Sequence, residues 1–548
     1  MIAIHYTSLH TSAAEGRIFG VQVAVHNWLR AWFRYGATEK FHFLIGEKKE
    51  QDEILAIAAE TGIDPKRIIM LDRRYVEENL AQFEMIFRPN PDSHNLFWQR
   101  QQLEKGFGFC GLAHAIAGTE AGKLLEQYCL APSEETDAIV CPSQAVKSAI
   151  HSFWNLYGDY LRQRFGRRFH CPVQLPVIPL GVDVESLEAK TTADKRAAQR
   201  QKLGLADDDI ALLWVGRLSS AIKAHPLAMF QAAERAAEAT GVSVHLLMVG
   251  YFMPKEAEDQ FRKLAHDFCK KVKVVFIPSD DPHFPDGLWA AGDIFLSLID
   301  NMQESFGLTP IEAMAAGLPR VISDWDGYRD SVEHEVDGFL VPTLQPPPGS
   351  GEALSRLLLN EREMYGGFLA KTALSVAVDQ VQAAEALTQL IKNKNRRTAI
   401  AEKARARVRA TYDWKHIIPA YEALWKDLAD RRRARVKTNA DWPSLLPQSP
   451  DPFTMYAAYP SRALREDDKL VAMASTEVVR CLWSHEINVL GLDVMLTAED
   501  TTKLIAYILA QGETPIRRLF LVFPFLDRAR LWRTAGWLIK LGILGVRP

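Results

Sequence analysis

Asp300-Asn301-Met302-Gln303-Glu304-Ser305-Phe306-Gly307-Leu308-Thr309-Pro310-Ile311-Glu312-Ala313-Met314-Ala315-Ala316-Gly317-Leu318-Pro319 is the stretch whose reading decides the fold. The apolar run just before it, residues 294–298, reads as a buried strand. Thr309 is a good N-cap and Pro310 a good first helical residue. Gly317 and Pro319 stop the helix, and residues 319–323 read as the next strand. Strand, loop, short helix and strand make one repeat of a parallel α/β layer. Ligands in open α/β sheets bind outside the carboxyl ends of the strands, which is where Glu304 falls. The helix start offers free N–H groups to a phosphate, and Gly307 lets backbone approach a ligand closely. Glu304 then lies near a sugar attached to that phosphate. Glu312, one turn into the helix, reaches a ribose diol, because carboxylates accept hydrogen bonds that sugar hydroxyls donate. Alone, Glu312 reads equally well as the end of a capping box with Thr309, and Glu304 as a solvated loop acid. The two acids with Phe306-Gly307 between them are more specific.

The same texture extends outward. Residues 2–6, 41–45, 84–87, 109–113 and 138–141 read as one series of strands, and 210–215, 242–249, 272–277, 294–298 and 319–323 as a second. Helical spacing lies between them, as in residues 21–35, 226–239 and 310–316. Such alternation predicts parallel sheets covered on both faces, in two Rossmann-like domains split near the polar joint at 185–208. The expected layout is a first domain over 1–190, a second over 191–410 and a closing helix over 411–436. A Pro-rich linker over 437–452 and a small, mainly helical module over 453–548 follow.

The second series holds a further constellation. Residues 210–215 end in Gly216-Arg217-Leu218, and Lys223 follows. Two cations at that edge neutralise a diphosphate, Arg as a fork and Lys as a point charge. Standing alone, they read as solvated surface cations.

Glu304-x7-Glu312 with Phe306-Gly307-Leu308 between resembles the signature of the retaining glycosyltransferases of family 4, which have the GT-B fold. Gly216-Arg217 with Lys223, the 177–183 stretch Val-Ile-Pro-Leu-Gly-Val-Asp, the 337–342 stretch Asp-Gly-Phe-Leu-Val-Pro, and Thr411-Tyr412-Asp413-Trp414 fit the same family in order. The resemblance covers roughly residues 1–430. It implies two facing Rossmann-like domains, with acceptor bound mainly by the first and a nucleotide diphosphate sugar mainly by the second. It implies a hexosyltransferase-type reaction that retains anomeric configuration, with no bound metal and no cofactor beyond the sugar nucleotide as co-substrate. Arg217 and Lys223 then hold the diphosphate, Glu304 contacts the donor sugar, and Glu312 the ribose. Phe306, Gly307, Leu308 and Thr309 complete the donor loop. His114 matches the family's cleft histidine near the sugar, and with Glu304 is the catalytic candidate; outside the family context it reads as a core histidine satisfied by backbone. Gly20, with Gly16, occupies the loop where the family keeps glycines near phosphate and acceptor. Leu180 stands where the family usually has Asn. Residues 324–330 depart from its usual Gly-Gly-x-x-Glu stretch. Asp324-x-Asp326 imitates the metal-binding pair of another glycosyltransferase fold and is set aside.

Composition bounds the rest. Hydrophobic residues make up 48% and charged residues 24%, as in a soluble globular chain. A net charge of −3 argues against nucleic-acid binding. The six cysteines form no C-x-x-C pair, which fits a reducing cytoplasm and no zinc site. The N-terminus reads as a first strand and not a signal peptide, and no apolar run reaches spanning length. Residues 153–170 interleave Trp154, Tyr157, Tyr160, Phe165 and Phe169 with four arginines. Such a stretch rests peripherally on an anionic membrane or binds a polyanionic acceptor; the plainer reading is an interdomain helix. The end of the chain, residues 537–544, faintly resembles the close of a winged-helix module. Two other function classes stay open: a GT-B-fold nucleotide-sugar epimerase, and a non-catalytic nucleotide-sugar-binding regulator acting through the C-terminal module.

Overall fold

The computed structural model describes residues 1–8, 20–93, 95–103, 105–278, 287–434, 447–483 and 485–547. Gly16, Arg435 and most of the Pro-rich stretch lie outside the described residues. The chain divides into two compact units, Met1–Ser444 and Leu445–Pro548.

The larger unit holds two six-stranded sheets. The first comprises β1 (Ile2–His5), β2 (Phe41–Ile45), β3 (Ile68–Asp72), β4 (Met85–Arg88), β5 (Gly108–Leu112) and β6 (Ala138–Val140), in the order β3-β2-β1-β4-β5-β6. The second comprises β7 (Ile210–Val215), β8 (Val244–Val249), β9 (Lys273–Ile277), β10 (Ile294–Ser297), β11 (Arg320–Ser323) and β12 (Phe339–Val341), in the order β12-β11-β10-β7-β8-β9. Every pairing in both sheets is parallel. Both orders are the doubly wound one, with a reversal between β1 and β4 and another between β7 and β10. Two Rossmann-like halves are what the two strand series predict, and the fold is the GT-B fold that the resemblance implies. The inner strands β4, β5, β8 and β10 are buried along their whole length, which is why they read as mainly apolar runs. Two edge strands escape the sequence reading: β3 is only half-buried over most of its length, and β12 is three residues long.

Two chain crossings join the halves and bond to each other. The Val182 amide donates to the Tyr412 carbonyl at 2.8 Å. Gly181 lies so close to Trp414 that a Cβ there would stand 2.6 Å from its ring. After the second crossing, helix Trp414–Ala434 runs back over the first half. Its Tyr421 and Trp425 meet Trp28 and Phe87 in one buried aromatic cluster, with centroid separations of 5.2–6.1 Å.

The basic aromatic stretch belongs to the first half and is not interdomain. Helix Gln144–Phe165 ends at Gly166 in the left-handed conformation, so residues 167–170 lie beyond it. Trp154 is buried and donates to the Leu125 carbonyl, whereas Leu156, Tyr160 and Phe165 are exposed. Among the described residues no helix is long and apolar enough to cross a membrane.

The smaller unit is mainly helical around its own apolar core. It also carries a three-stranded antiparallel sheet, in which strand Lys469–Ala472 lies between Thr514–Pro515 and Leu544–Arg547. Helix Arg528–Lys540 buries Leu531, Ala535 and Leu538 on one face.

Candidate donor site at the two switch points

The loops that follow β7 and β10 leave the second sheet at its reversal point, where a crevice opens between diverging connections. After β7, Gly250 passes so close to the Gly216 carbonyl that a Cβ would stand 1.7 Å from it. Only glycine fits there, and the packing sets the path of the chain into Arg217. Lys223 follows in a turn held by its amide on the Ser219 carbonyl at 3.1 Å.

The loop after β10 is stitched to this turn at three places. Asp300 accepts from the His225 amide at 3.2 Å, Asn301 donates to the Ala221 carbonyl at 2.7 Å, and Glu304 forms an ion pair with Lys223. Burial pushes the Asp300 carboxyl up to about 7, against the pull of that amide. Burial also opposes the Lys223 charge, but Glu304 and Tyr328 outweigh it and hold the ammonium above the ordinary lysine value. Asp300, Asn301 and Tyr328 are absent from the sequence-based candidates. Position directly after a strand was the available signal for the first two.

The donor-loop helix begins two residues earlier than expected. It spans Leu308–Ala316 with Gly307 as N-cap, so Thr309 sits inside the first turn and is not the cap. The reason is Gly307, whose φ of +87° breaks the extended loop. Its α-carbon faces the Tyr328 ring, which a Cβ would meet at 2.2 Å. Pro310 then falls at the third helical position, where its missing N–H is still one that needs no intrahelical partner. The shift removes the capping-box reading of Glu312. That carboxyl has no hydrogen-bond partner among the described residues. Burial pushes it from 4.5 up to about 7, partly offset by Lys223 and Lys190.

On the first half, β1 leads through residues outside the described set to helix Gly20–Tyr35, whose N-terminal end faces the crevice. His114 follows β5. Its Nε2 lies 2.8 Å from the Pro89 carbonyl, so that nitrogen carries the proton and Nδ1 is left as an acceptor. Burial pulls the imidazole below its usual pKa, and the ring is neutral. The backbone satisfaction expected of a core histidine and a place at the cleft are both present.

These pieces enclose a cavity of about 630 Å³. It is bordered by Gly20 and His114 from the first half, and by Arg217, Lys223, Glu304, Phe306, Gly307, Leu308, Thr309 and Glu312 from the second. Two helix N-termini and two cations therefore face one space. Arg217 has no carboxylate partner among the described residues, in contrast to Lys223. Two contacts bring the halves together beside the loop: Ser143 donates to the Ser305 carbonyl at 2.8 Å, and the Gln144 amide donates to Asp330 at 2.6 Å. Asp324 pairs with Arg329, and Asp326 is pushed up to about 8 by burial, with Glu304 adding to the shift. Among the described residues no three His, Cys, Asp or Glu side chains gather as a metal-holding group.

Comparison with known proteins agrees with this reading of the second half. Residues 195–366 match the family model described as glycosyl transferases group 1. A D-inositol 3-phosphate glycosyltransferase of Geodermatophilus obscurus is 30% identical over 197 residues, 35% of this chain and 42% of the relative. An uncharacterized glycosyltransferase of Methanocaldococcus jannaschii is 25% identical over 214 residues, 39% of this chain and 48% of the relative. The matches thus span less than half the length of these curated relatives. Among solved structures, Anabaena HepE in complex with UDP and glucose aligns over 78% of this chain and 99% of its own, at 16% identity and a TM-score of 0.48. The second Rossmann-like half is thus similar, over residues 195–366, to the glycosyl transferases group 1.

Proposed function

We propose that the protein transfers a sugar, with retention of anomeric configuration and without a bound metal, from a nucleoside diphosphate sugar to an acceptor hydroxyl. The observation that carries this is the single cavity on which the Arg217 guanidinium, the Lys223 ammonium and two helix N-termini converge. Breaking the glycosidic bond expels a diphosphate whose negative charge grows in the transition state. Fixed cations and oriented N–H groups stabilise that charge without reorganising. Arg217 grips the diphosphate with its fork. Lys223 turns from Glu304 alone to a position shared between Glu304 and phosphate, which leaves the Glu304 carboxylate accepting from the donor sugar's hydroxyls. Glu312 accepts from the ribose. His114, neutral and with Nδ1 as acceptor, orients a hydroxyl near the reacting carbon. The departing phosphate oxygen takes the acceptor proton on the face where the new bond forms, and so configuration is retained. A reducing compartment such as the cytoplasm suits a chain whose six cysteines form no C-x-x-C pair.

Thermal stabilisation of the purified chain by UDP-, GDP- and ADP-sugars identifies the donor, because a ligand bound to the native state raises its melting temperature. Arg217→Ala is expected to abolish that stabilisation, and Lys223→Ala and Glu304→Ala to abolish transfer. NMR of the product should show the donor's anomeric configuration. Full turnover in the Lys223→Ala and Glu304→Ala variants overturns the site assignment, and an inverted product overturns the mechanism.

A further inference from the structure

A second cavity of about 600 Å³ adjoins the first, and the two share His114 and Ala115. Its walls come from both halves. The first half contributes Ala117, Ala121, Leu124 and Leu125, from helix Thr119–Leu130 and the turn before it. The second contributes Leu358 and Tyr365, from helices Glu352–Leu359 and Tyr365–Ala373. Thr119, Glu120 and the Tyr365 hydroxyl are its polar members besides His114.

Two further features bear on what enters. Tyr365 is seated directly on the backbone of Gly118, where a Cβ would stand 2.7 Å from the ring and where φ is +90°. Glycine at 118 therefore builds the wall by letting the second half close on the first. Helix Glu352–Leu359 has no buried residue despite its leucines, and Leu359, Met364 and Leu374 nearby in sequence are strongly exposed. This hairpin is apolar toward the cavity and apolar outward. A sugar or other polyol inside the cavity would lose its water and find few partners for its hydroxyls, which is unfavourable. An apolar group loses nothing of the kind and gains by burial.

Resting on the donor reading above, we propose that this second cavity takes the apolar part of the acceptor, an alkyl or aryl group whose hydroxyl is presented to the donor sugar beside His114. The acceptor is then an alcohol of amphipathic type, either free in solution or carried in a lipid surface.

The test uses the full chain and whichever nucleotide sugar stabilises it. Transfer is measured to ethanol, butanol, hexanol and octanol in solution, and to dioctanoylglycerol in phosphatidylcholine vesicles against glycerol in solution. Each methylene buried is worth ~0.8 kcal/mol, so kcat/KM should rise about fourfold per methylene until the cavity is filled. A gain in the alcohol series supports the inference with a free acceptor, and a gain in the vesicle arm supports it with a lipid-borne one. Ala121→Trp fills the space from the first half, and Leu358→Asp places a charge in the opposite wall. Both should flatten the dependence while leaving donor hydrolysis by water unchanged. A flat response in both arms, or a slope that survives both substitutions, overturns the inference. Donor binding without turnover on any alcohol overturns it and spares the donor reading; absence of binding by every nucleotide sugar overturns both.

Discussion

Glu312 shows how one residue carries both a cost and a use. Burial raises its pKa from 4.5 to about 7, although the residue is only half-buried where it borders the cavity. Between those values the folded chain holds a proton that the unfolded chain has released. The group therefore costs nothing below about 4.5, and the penalty grows as pH rises, reaching full size above about 7. Glu312→Gln should be more stable than the wild type at pH 8 by about 1–3 kcal/mol, with the difference closing below pH 4.5. Melting curves across this range check it; a variant no more stable at pH 8 refutes the assignment of a buried, unpaired carboxyl. Donor affinity should fall in the same variant, since an amide is a weaker acceptor toward the ribose. The spacing of Glu304 and Glu312 was readable from the chain. The roles of Asp300 and Asn301 were not, because their partners His225 and Ala221 lie 75 and 80 positions away in sequence.

At the scale of elements, the stretch that begins Asp337-Gly338-Phe339 resembles a family signature, and its physical content is a clamp. The Asp337 carboxylate accepts from Arg320 of β11 at 2.9 Å, from Arg407 at 2.9 Å and from the Glu333 amide at 3.0 Å. Arg320 is fully buried, and desolvation pulls its pKa down to about 10 against the pull of Asp337. Removing one partner of such a pair leaves a buried charge unmatched. Asp337→Ala should cost about 3–5 kcal/mol by urea unfolding. A loss under 1 kcal/mol would show that β11 and β12 are held by other contacts. The onset of the donor-loop helix departs from local preference for a related reason. Thr309 and Pro310 are good starting residues by local preference, but the Tyr328 ring against Gly307 decides where the loop turns into helix.

For the molecule as a whole, the two halves are tied by crossings that bond to each other and by helix Trp414–Ala434. Trp425 is buried to 1% exposure against Trp28, Phe87 and Tyr421. Trp425→Ala should destabilise the larger unit by about 3–5 kcal/mol. Urea unfolding measures this; an unchanged midpoint would mean that the returning helix is not integral to the first half.

By itself, the sequence determined the layers. Buried parallel strands are mainly apolar, covering helices are amphipathic, and both properties are local patterns along the chain. It also determined which residues stand at strand ends, and so Arg217, Lys223, Glu304 and Glu312 could be named. The edge strands β3 and β12 escaped it, because a short or half-exposed strand is defined by its neighbour more than by its own composition. Only the tertiary structure decided that Lys223 is paired with Glu304 while Arg217 has no carboxylate partner among the described residues, and that His114 touches two cavities at once. Those facts depend on which loops from distant parts of the chain end at the same sheet edge, a matter of sheet order and closure that no local window of residues contains.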